Sequence, residues 1–352
     1  MTTLPLSDYN IYIGTDIWET FNELIASEEP AQIAVLVDEN TKEFCLPIFK
    51  EKTNFDYKVI EILSGELHKT LDTCQQIWSE MMDFKMNRNG LLINLGGGVI
   101  GDMGGFCAST FKRGMRFVQM PTTLLSQVDA SIGGKLGIDF MDVKNSIGVF
   151  NNPQAVFVNT VLLDTLPARE LRSGYAEMIK HSLIANATDW KELLGISDLA
   201  HIKWDKLLVS SLKVKQQIVE EDPFEHGIRK ALNFGHTIGH AIESHFLHTD
   251  KRLLHGEAIA AGMICESYLS YLKSGLSKAD LEEITTYLLK IYGKCSISDS
   301  VYPELLATMR QDKKNISTEI NVTLLNAIGV CQVNQSGTPE EIIKCLDYYN
   351  SL

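Results

Sequence analysis

The stretch IRKALNFGHTIGHAIESH, Ile228 to His245, sets His236 and His240 four residues apart in an apolar, helix-like pattern. Residues at i and i+4 share a helix face, so the two imidazoles would point the same way. Arg229 and Asn233 precede them on related turns, and LLHGEA places His255 at the start of another helix. SGYAEMIK adds Glu177, one helical turn before Lys180. Two imidazoles and one carboxylate with open coordination positions make a catalytic zinc site. Spacing nominates His236 and His240 as the pair but does not say which of the three histidines is left out. Two core histidines bonded to backbone would explain the same spacing.

A second group of residues suits phosphate chemistry. NLGGGVIGDMGG matches GxGxxG at Gly96, Gly98 and Gly101, directly after an apolar run. Glycines let a backbone approach a pyrophosphate, and a following helix N-terminus favours its charge. The acid usual about 20 residues further on is not evident. Asp38, closing the earlier run AQIAVLVD, is the better ribose partner. SGELHKT supplies Glu66 and Lys69, and PTT supplies Thr122 and Thr123, each after an apolar run. Strand-end polar residues converging in this way predict a dinucleotide site. STFKRGMRF, SIGGKLGID and DVKNSIG read as loops that carry Arg113, Lys135, Lys144 and Asn145. Lys180 and Lys215 fall within helices, and RQDKKN adds Lys313 and Lys314. Lys135 in a Gly-Gly turn and Lys180 in an apolar helix read as buried or cleft-bound cations. Such cations need an anionic partner, for which a phosphorylated acid is suitable.

The elements that must position these groups follow from periodicity. AQIAVLVD, YKVIEIL, GLLINLGGG, RFVQMPTT and QAVFVNT are short apolar runs bounded by turn residues, the pattern of buried parallel strands. Beyond DTLPARELRSGYAEMIKHSLI the pattern turns helical, as in LHGEAIAAGMICESYLSYL. The fold expected is therefore α/β: a parallel-sheet nucleotide-binding domain over residues 1–166, then an all-helical metal-binding domain over 167–352. Ligands of such folds bind at the carboxyl ends of strands and between domains. The 352 residues, 45% hydrophobic, suffice for two cores. A formal net charge of -13 argues against a general nucleic-acid binder but leaves room for a locally basic cleft. Seven scattered cysteines without a CxxC pair suit a reducing compartment. Neither a signal-peptide pattern nor an apolar run of about 18 residues is evident. A cytoplasmic protein without a membrane partner is expected.

Taken together, SGELHKT, GGGVIGD, RGMRFVQMPTTLLSQVDASIGGKLGID, VKNSIG, SGYAEMIK, RKALNFGHTIGHAIE, LHGEAIAAGM and DKKN resemble the 3-dehydroquinate synthases, sugar phosphate cyclases of the shikimate pathway. The likeness runs through nearly the whole chain. It implies zinc or cobalt held by Glu177, His236 and His255, with His240 in the catalytic pocket. It also implies an NAD site. Asp38, Asn40, Ser64, Glu66, Lys69 and Lys144 would line it with Gly97, Gly98, Val99 and Asp102. Thr122, Thr123, Lys135, Leu162 and Thr165 would complete it. The substrate would be 3-deoxy-D-arabino-heptulosonate 7-phosphate. Lys135, Asn145, His240 and one of Lys313 or Lys314 would surround its phosphate. Lys215 and Arg229 would hold its carboxylate, and Asp129, Lys180 and Asn233 would meet its hydroxyls. Arg113 would reach into a neighbouring subunit, which implies a homodimer. Val143 and Leu136 depart from common family residues, and the segment from His240 to His255 is slightly long. The alternatives are a metal- and NAD-dependent alcohol or glycerol dehydrogenase, another sugar phosphate cyclase, and a non-catalytic nucleotide sensor.

Overall fold

The computed structural model describes residues 1–141, 143–200, 202–311 and 319–352. They form two compact units, Met1–Pro167 with Lys203–Gln216, and Ala168–Ile202 with Gln217–Leu352.

The first unit contains β1 (Thr2–Pro5), β2 (Asn10–Ile13), α1 (Trp18–Glu28), β3 (Ile33–Asp38), α2 (Glu39–Phe44), α3 (Leu46–Lys52) and β4 (Lys58–Ile62). It continues with α4 (Leu71–Asp83), β5 (Leu91–Gly96), α5 (Gly98–Thr110), β6 (Arg116–Pro121), β7 (Lys135–Phe140), β8 (Val143–Phe150) and β9 (Ala155–Val158). A seven-stranded sheet runs β1-β2-β9-β6-β5-β3-β4. Only the β1–β2 pairing in it is antiparallel. Every residue of β5 is buried, as expected for a strand covered on both faces. One apolar cluster packs α4 and α5 on one face, including Ile77, Met103 and Phe106. A second packs Phe21, Phe49 and Phe157 on the other. The chain leaves β3 for β4 on one side and β5 for β6 on the other. This puts a topological switch point between β3 and β5, where α/β sheets bind ligands at the strand ends.

The second unit holds α6 (Ala168–Ala185), α7 (Ala187–Leu194), the end of α8 (Trp204–Glu221), α9 (His236–Phe246), α10 (His255–Lys273), α11 (Lys278–Tyr292) and α12 (Tyr302–Gln311). An antiparallel ribbon, β10 (Ile320–Ala327) with β11 (Val330–Gly337), and α13 (Pro339–Ser351) follow.

Four local expectations change. Lys135, Lys144 and Asn145 lie not in loops but on the β7–β8 hairpin, whose Leu136 and Ile138 enter the α4–α5 core. Lys135 is exposed rather than buried, because alternation along β7 points it away from that core. The histidine stretch is two pieces, a 3₁₀ turn at Ile228–Asn233 and then α9, broken at Gly235 with φ +79°. Arg229 and Asn233 therefore do not share a helix with the histidines. The β10–β11 ribbon interrupts the region read as helical; its turn signal is the Gly329 of NAIGV, at φ +85°. Among the described residues, no helix is long and apolar enough to cross a membrane.

Candidate functional site

In the helical unit, three helices approach backbone to backbone. Gly256 of α10 donates its N–H to Ser173 Oγ of α6 at 3.0 Å, and a Cβ there would sit 2.0 Å from the Ser173 carbonyl oxygen. One helical turn and a half further on, a Cβ on Gly262 would sit 2.0 Å from the Gly235 carbonyl oxygen, just before α9. A side chain at either glycine would push the helices apart. These contacts bring together Glu177 from α6, His236 from α9 and His255 from α10.

Glu177 Oε1 lies 3.5 Å from His236 Nε2 and 3.5 Å from His255 Nε2. Both separations are long for hydrogen bonds. They match the ligand-to-ligand spacing, about 3.4 Å, of a tetrahedral ion with bonds near ~2.0–2.1 Å. The opposite ring nitrogens are already engaged. His236 Nδ1 donates to the Phe234 carbonyl at 3.1 Å, which leaves Nε2 as the lone-pair atom. His255 Nδ1 stands 3.2 Å from Glu243 Oε2, the carboxylate–histidine pairing that orients metal ligands. Glu177 is fully buried, and its Oε2 accepts from the equally buried Lys180. The residues present therefore fit a divalent ion. His240, more exposed, has its ring 5.0 Å from that of His236 and 5.6 Å from that of His255. His236, His240 and His255 could also offer three nitrogens within 4.8 Å of one another. The set containing Glu177 is preferred because it supplies a negative charge to a buried cation.

The electrostatics agree. Burial alone would raise the Glu177 pKa, but Lys180, His236 and His255 outweigh it and hold the carboxyl well below its usual range. Burial, followed by Lys180, drives His236 well below the ordinary imidazole value. Burial also opposes charge on His255, yet the neighbouring carboxylates of Glu177 and Glu243 push it up to about 10 in the metal-free protein. In the same unit Asn233 Nδ2 donates to Glu225 Oε1 at 2.8 Å. The buried Arg229 donates through Nη1 to the Pro223 carbonyl, and its N–H lies 3.1 Å from Asp222 Oδ2. Sequence reasoning missed Asp222, Glu225 and Glu243. The one available signal was Glu243's position on the His236 helix, seven residues on.

In the sheet unit, Asp38 ends β3 and caps α2: its Oδ1 accepts from Thr41 N at 2.8 Å and Thr41 Oγ1 at 3.0 Å. Asn40 is exposed on α2. Ser64 donates from N and Oγ to Glu39 at 2.9 and 2.6 Å, a partner sequence reasoning also missed. Gly97 caps α5, whose first residues are Gly98 and Val99. A Cβ on Gly97 would meet Thr123 Cγ2 at 3.0 Å, so the turn is packed against the residues after β6. There Thr122 is buried and Thr123 Oγ1 pairs with Ser126 Oγ at 2.9 Å. Buried Lys69 donates to Asp102 Oδ2 and to Asn145 Oδ1, both at 2.6 Å. Burial opposes its charge, but Asp102 and Glu66 outweigh burial and hold its pKa above the lysine norm. Lys144 Nζ stands 3.8 Å from Glu66 Oε1. Asn145, expected at the substrate phosphate, thus sits among the expected nucleotide residues. Lys215 donates to Asp129 Oδ1 at 2.7 Å. Arg113 lies in a turn with Lys112, at φ +68° and +52°. Leu162 is buried and Thr165 exposed. Lys313 and Lys314 lie outside the described residues.

Two solved structures share the fold of this chain. A 2-deoxy-scyllo-inosose synthase, complexed with carbaglucose-6-phosphate, NAD+ and Co2+, superposes with a TM-score of 0.86 at 22% identity over 99% of each chain. A 2-epi-5-epi-valiolone synthase from Streptomyces hygroscopicus subsp. jinggangensis 5008, with NAD+ and Zn2+ bound, gives 0.86 at 23% identity over 100% of this chain and 99% of its own. Sequence is more particular. Residues 59–173 match the profile described as 3-dehydroquinate synthase N-terminal, and residues 174–315 match 3-dehydroquinate synthase C-terminal. The 3-dehydroquinate synthase of Parabacteroides distasonis is 41% identical over 98% of both chains. The chain belongs to the 3-dehydroquinate synthase family, as its motifs implied.

Proposed function

We propose that this chain converts 3-deoxy-D-arabino-heptulosonate 7-phosphate to 3-dehydroquinate and inorganic phosphate. That is a carbon–oxygen lyase step of aromatic amino acid biosynthesis, carried out by a cytoplasmic homodimer. The observation that carries the reading is Glu177 Oε1 standing 3.5 Å from each of two imidazole nitrogens, in a chain of this family. When bound, NAD supplies reversible hydride transfer at C5, and zinc or cobalt supplies Lewis-acid polarisation of the oxygen there.

The chain's own residues do the rest. Glu177, His236 and His255 hold the ion, and Lys180 keeps Glu177 anionic. Asp38, the Gly97–Val99 turn and Lys69 hold the dinucleotide at the strand ends. Glu66, Asp102 and Lys144 fix Lys69 and its surroundings electrostatically. Lys135, Arg113 and one of Lys313 or Lys314 bind the phosphate, stabilise its charge as it leaves and orient it. Held in that way, the phosphate itself takes the C6 proton, so no dedicated protein base is needed. Arg229 and Lys215 bind the carboxylate, while Asp129, Asn233 and His240 orient the hydroxyls for ring closure by intramolecular aldol addition. The family match favours this reading over an alcohol or glycerol dehydrogenase.

The test is phosphate release from the heptulosonate phosphate with NAD and zinc, with a chelator control and absorbance followed for NADH. Chelator-sensitive release without net NADH, and a carbocyclic product, is the expected result. Steady NADH formation from simple polyols with no phosphate release would move the chain to the dehydrogenases.

A further inference from the structure

The helix that carries His236 and His240 starts in an unusual way. Its N-cap is Gly235, which has no side chain to accept the exposed N–H groups of the first turn. Helix starts leave such donors unsatisfied, and burying them unpaired is costly. A polar side chain at Gly235 is excluded: φ is +79°, and a Cβ would meet Met263 Cγ at 2.5 Å and Met263 N at 3.0 Å. The same close approach that lets α9 touch α10 therefore removes the local cap.

Glu266, on α10 and fully buried, supplies the cap from outside. Its Oε2 accepts from Gly235 N at 2.7 Å and its Oε1 from Ile238 N at 3.3 Å. In an ordinary capping box an N-cap hydroxyl takes the N3 amide and an N3 glutamate takes the N-cap amide. Here a single carboxylate from a neighbouring helix takes both. Its negative charge also lies at the positive end of the α9 dipole. His236 is the first residue of the turn so held, between the two amides that Glu266 binds. The same α10 that presents Glu266 begins at His255.

We propose that Glu266 is a positioning residue for the metal site: it fixes the first turn of α9, and so sets the distance of His236 Nε2 from Glu177 and from His255 Nε2. The proposal rests on the metal reading given above. Glu266 touches neither ion nor substrate; it acts through the helix start.

The test compares wild-type protein with E266Q, which keeps the shape but replaces one acceptor oxygen by a donor. Zinc affinity is measured by competition with a chromophoric chelator, and cobalt-loaded protein is followed by its visible absorption bands. Removing an outer partner of a metal ligand typically weakens metal binding about 10–100-fold, and that loss is expected here. Altered cobalt bands, unchanged NAD affinity and recovery of turnover at excess zinc should accompany it. A folded E266Q with a lower melting temperature but wild-type zinc affinity and cobalt bands would make Glu266 a general stabiliser and overturn the proposal. Should E266Q not fold, E266D gives the same readouts with the carboxylate drawn back by one methylene. Wild-type protein that binds no zinc would overturn the metal reading itself, whereas zinc bound equally by wild type and variant would overturn only the role of Glu266.

Discussion

Two buried cation–carboxylate groups sit in the two units of this molecule and are built differently. In the sheet unit, Lys69 closes onto Asp102 and Asn145 at 2.6 Å each. In the helical unit, Lys180 closes onto one oxygen of Glu177, while the other oxygen stands 3.5 Å from two imidazoles. The first group satisfies itself with protein atoms. The second leaves a separation that protein atoms do not close, although close packing elsewhere shows that the helices can approach to backbone contact. A gap kept open inside a tightly packed crossing has the size of an ion, so the contrast is between a closed ion pair and a group whose spacing fits a metal.

The largest expected effect breaks the second group. Glu177→Ala removes a ligand and strands the buried Lys180 ammonium. Bound zinc should fall to trace levels by elemental analysis, and turnover with it. Breaking a buried pair from one side also costs about 3–5 kcal/mol, to be read from urea unfolding of the metal-free protein. Full zinc occupancy in that variant would mean that the His236–His240–His255 set, and not the carboxylate, holds the ion.

Next, Lys69→Ala should separate the units. Losing a charge-assisted hydrogen bond, worth about 1.5–3 kcal/mol, should weaken NAD binding roughly 10–100-fold while leaving zinc content unchanged. Calorimetric NAD titration and metal analysis of one preparation decide it. A parallel loss of zinc would show that the two groups are not independent. Lys135→Ala belongs to the same comparison from the substrate side: turnover should fall far more than NAD affinity, and near-normal turnover would remove Lys135 from the mechanism.

A subtler effect is the pH dependence of the open group. In metal-free protein His255 is raised to about 10 from its ordinary 6.5. A group raised on folding contributes stability that is fully present below its unfolded value and is lost as pH rises through its folded one. The melting temperature of chelated protein should therefore decline from pH 7 towards 10, whereas zinc-loaded protein should not share the decline. Because the ion must displace one proton, zinc affinity should rise about tenfold per pH unit over the same range. Parallel melting curves for both forms would argue that His255 is not a ligand. The smallest effect is expected at the self-satisfied end of the comparison: Glu39→Gln loosens Ser64 at an exposed position and should cost well under about 1 kcal/mol, with NAD affinity nearly unchanged.

Much of this was legible in the chain. Five parallel strands announced themselves because runs such as GLLINLG are apolar on both faces, and Asp38 was recognisable as a strand-end acid. β1 and β2 were not read, since TTLP and NIYI are four residues each and mixed in polarity. The β7–β8 hairpin was hidden because glycine, aspartate and asparagine interrupt its alternation, so its lysines passed for loop residues.

What the sequence determined by itself was local: which residues alternate, where glycines permit a close turn, and which side chains can bind metal or phosphate. Composition and motif order were enough to reveal the family. Which histidine nitrogens face Glu177, that Glu243 and Glu266 serve helices other than their own, and that the α9 helix begins only after Gly235 were decided by tertiary structure. The geometry of the Glu177–His236–His255 group depends on distances between helices far apart in sequence, and those distances are set by packing at Gly235, Gly256 and Gly262. No periodicity within one segment contains that information, because it belongs to the crossing and not to either helix.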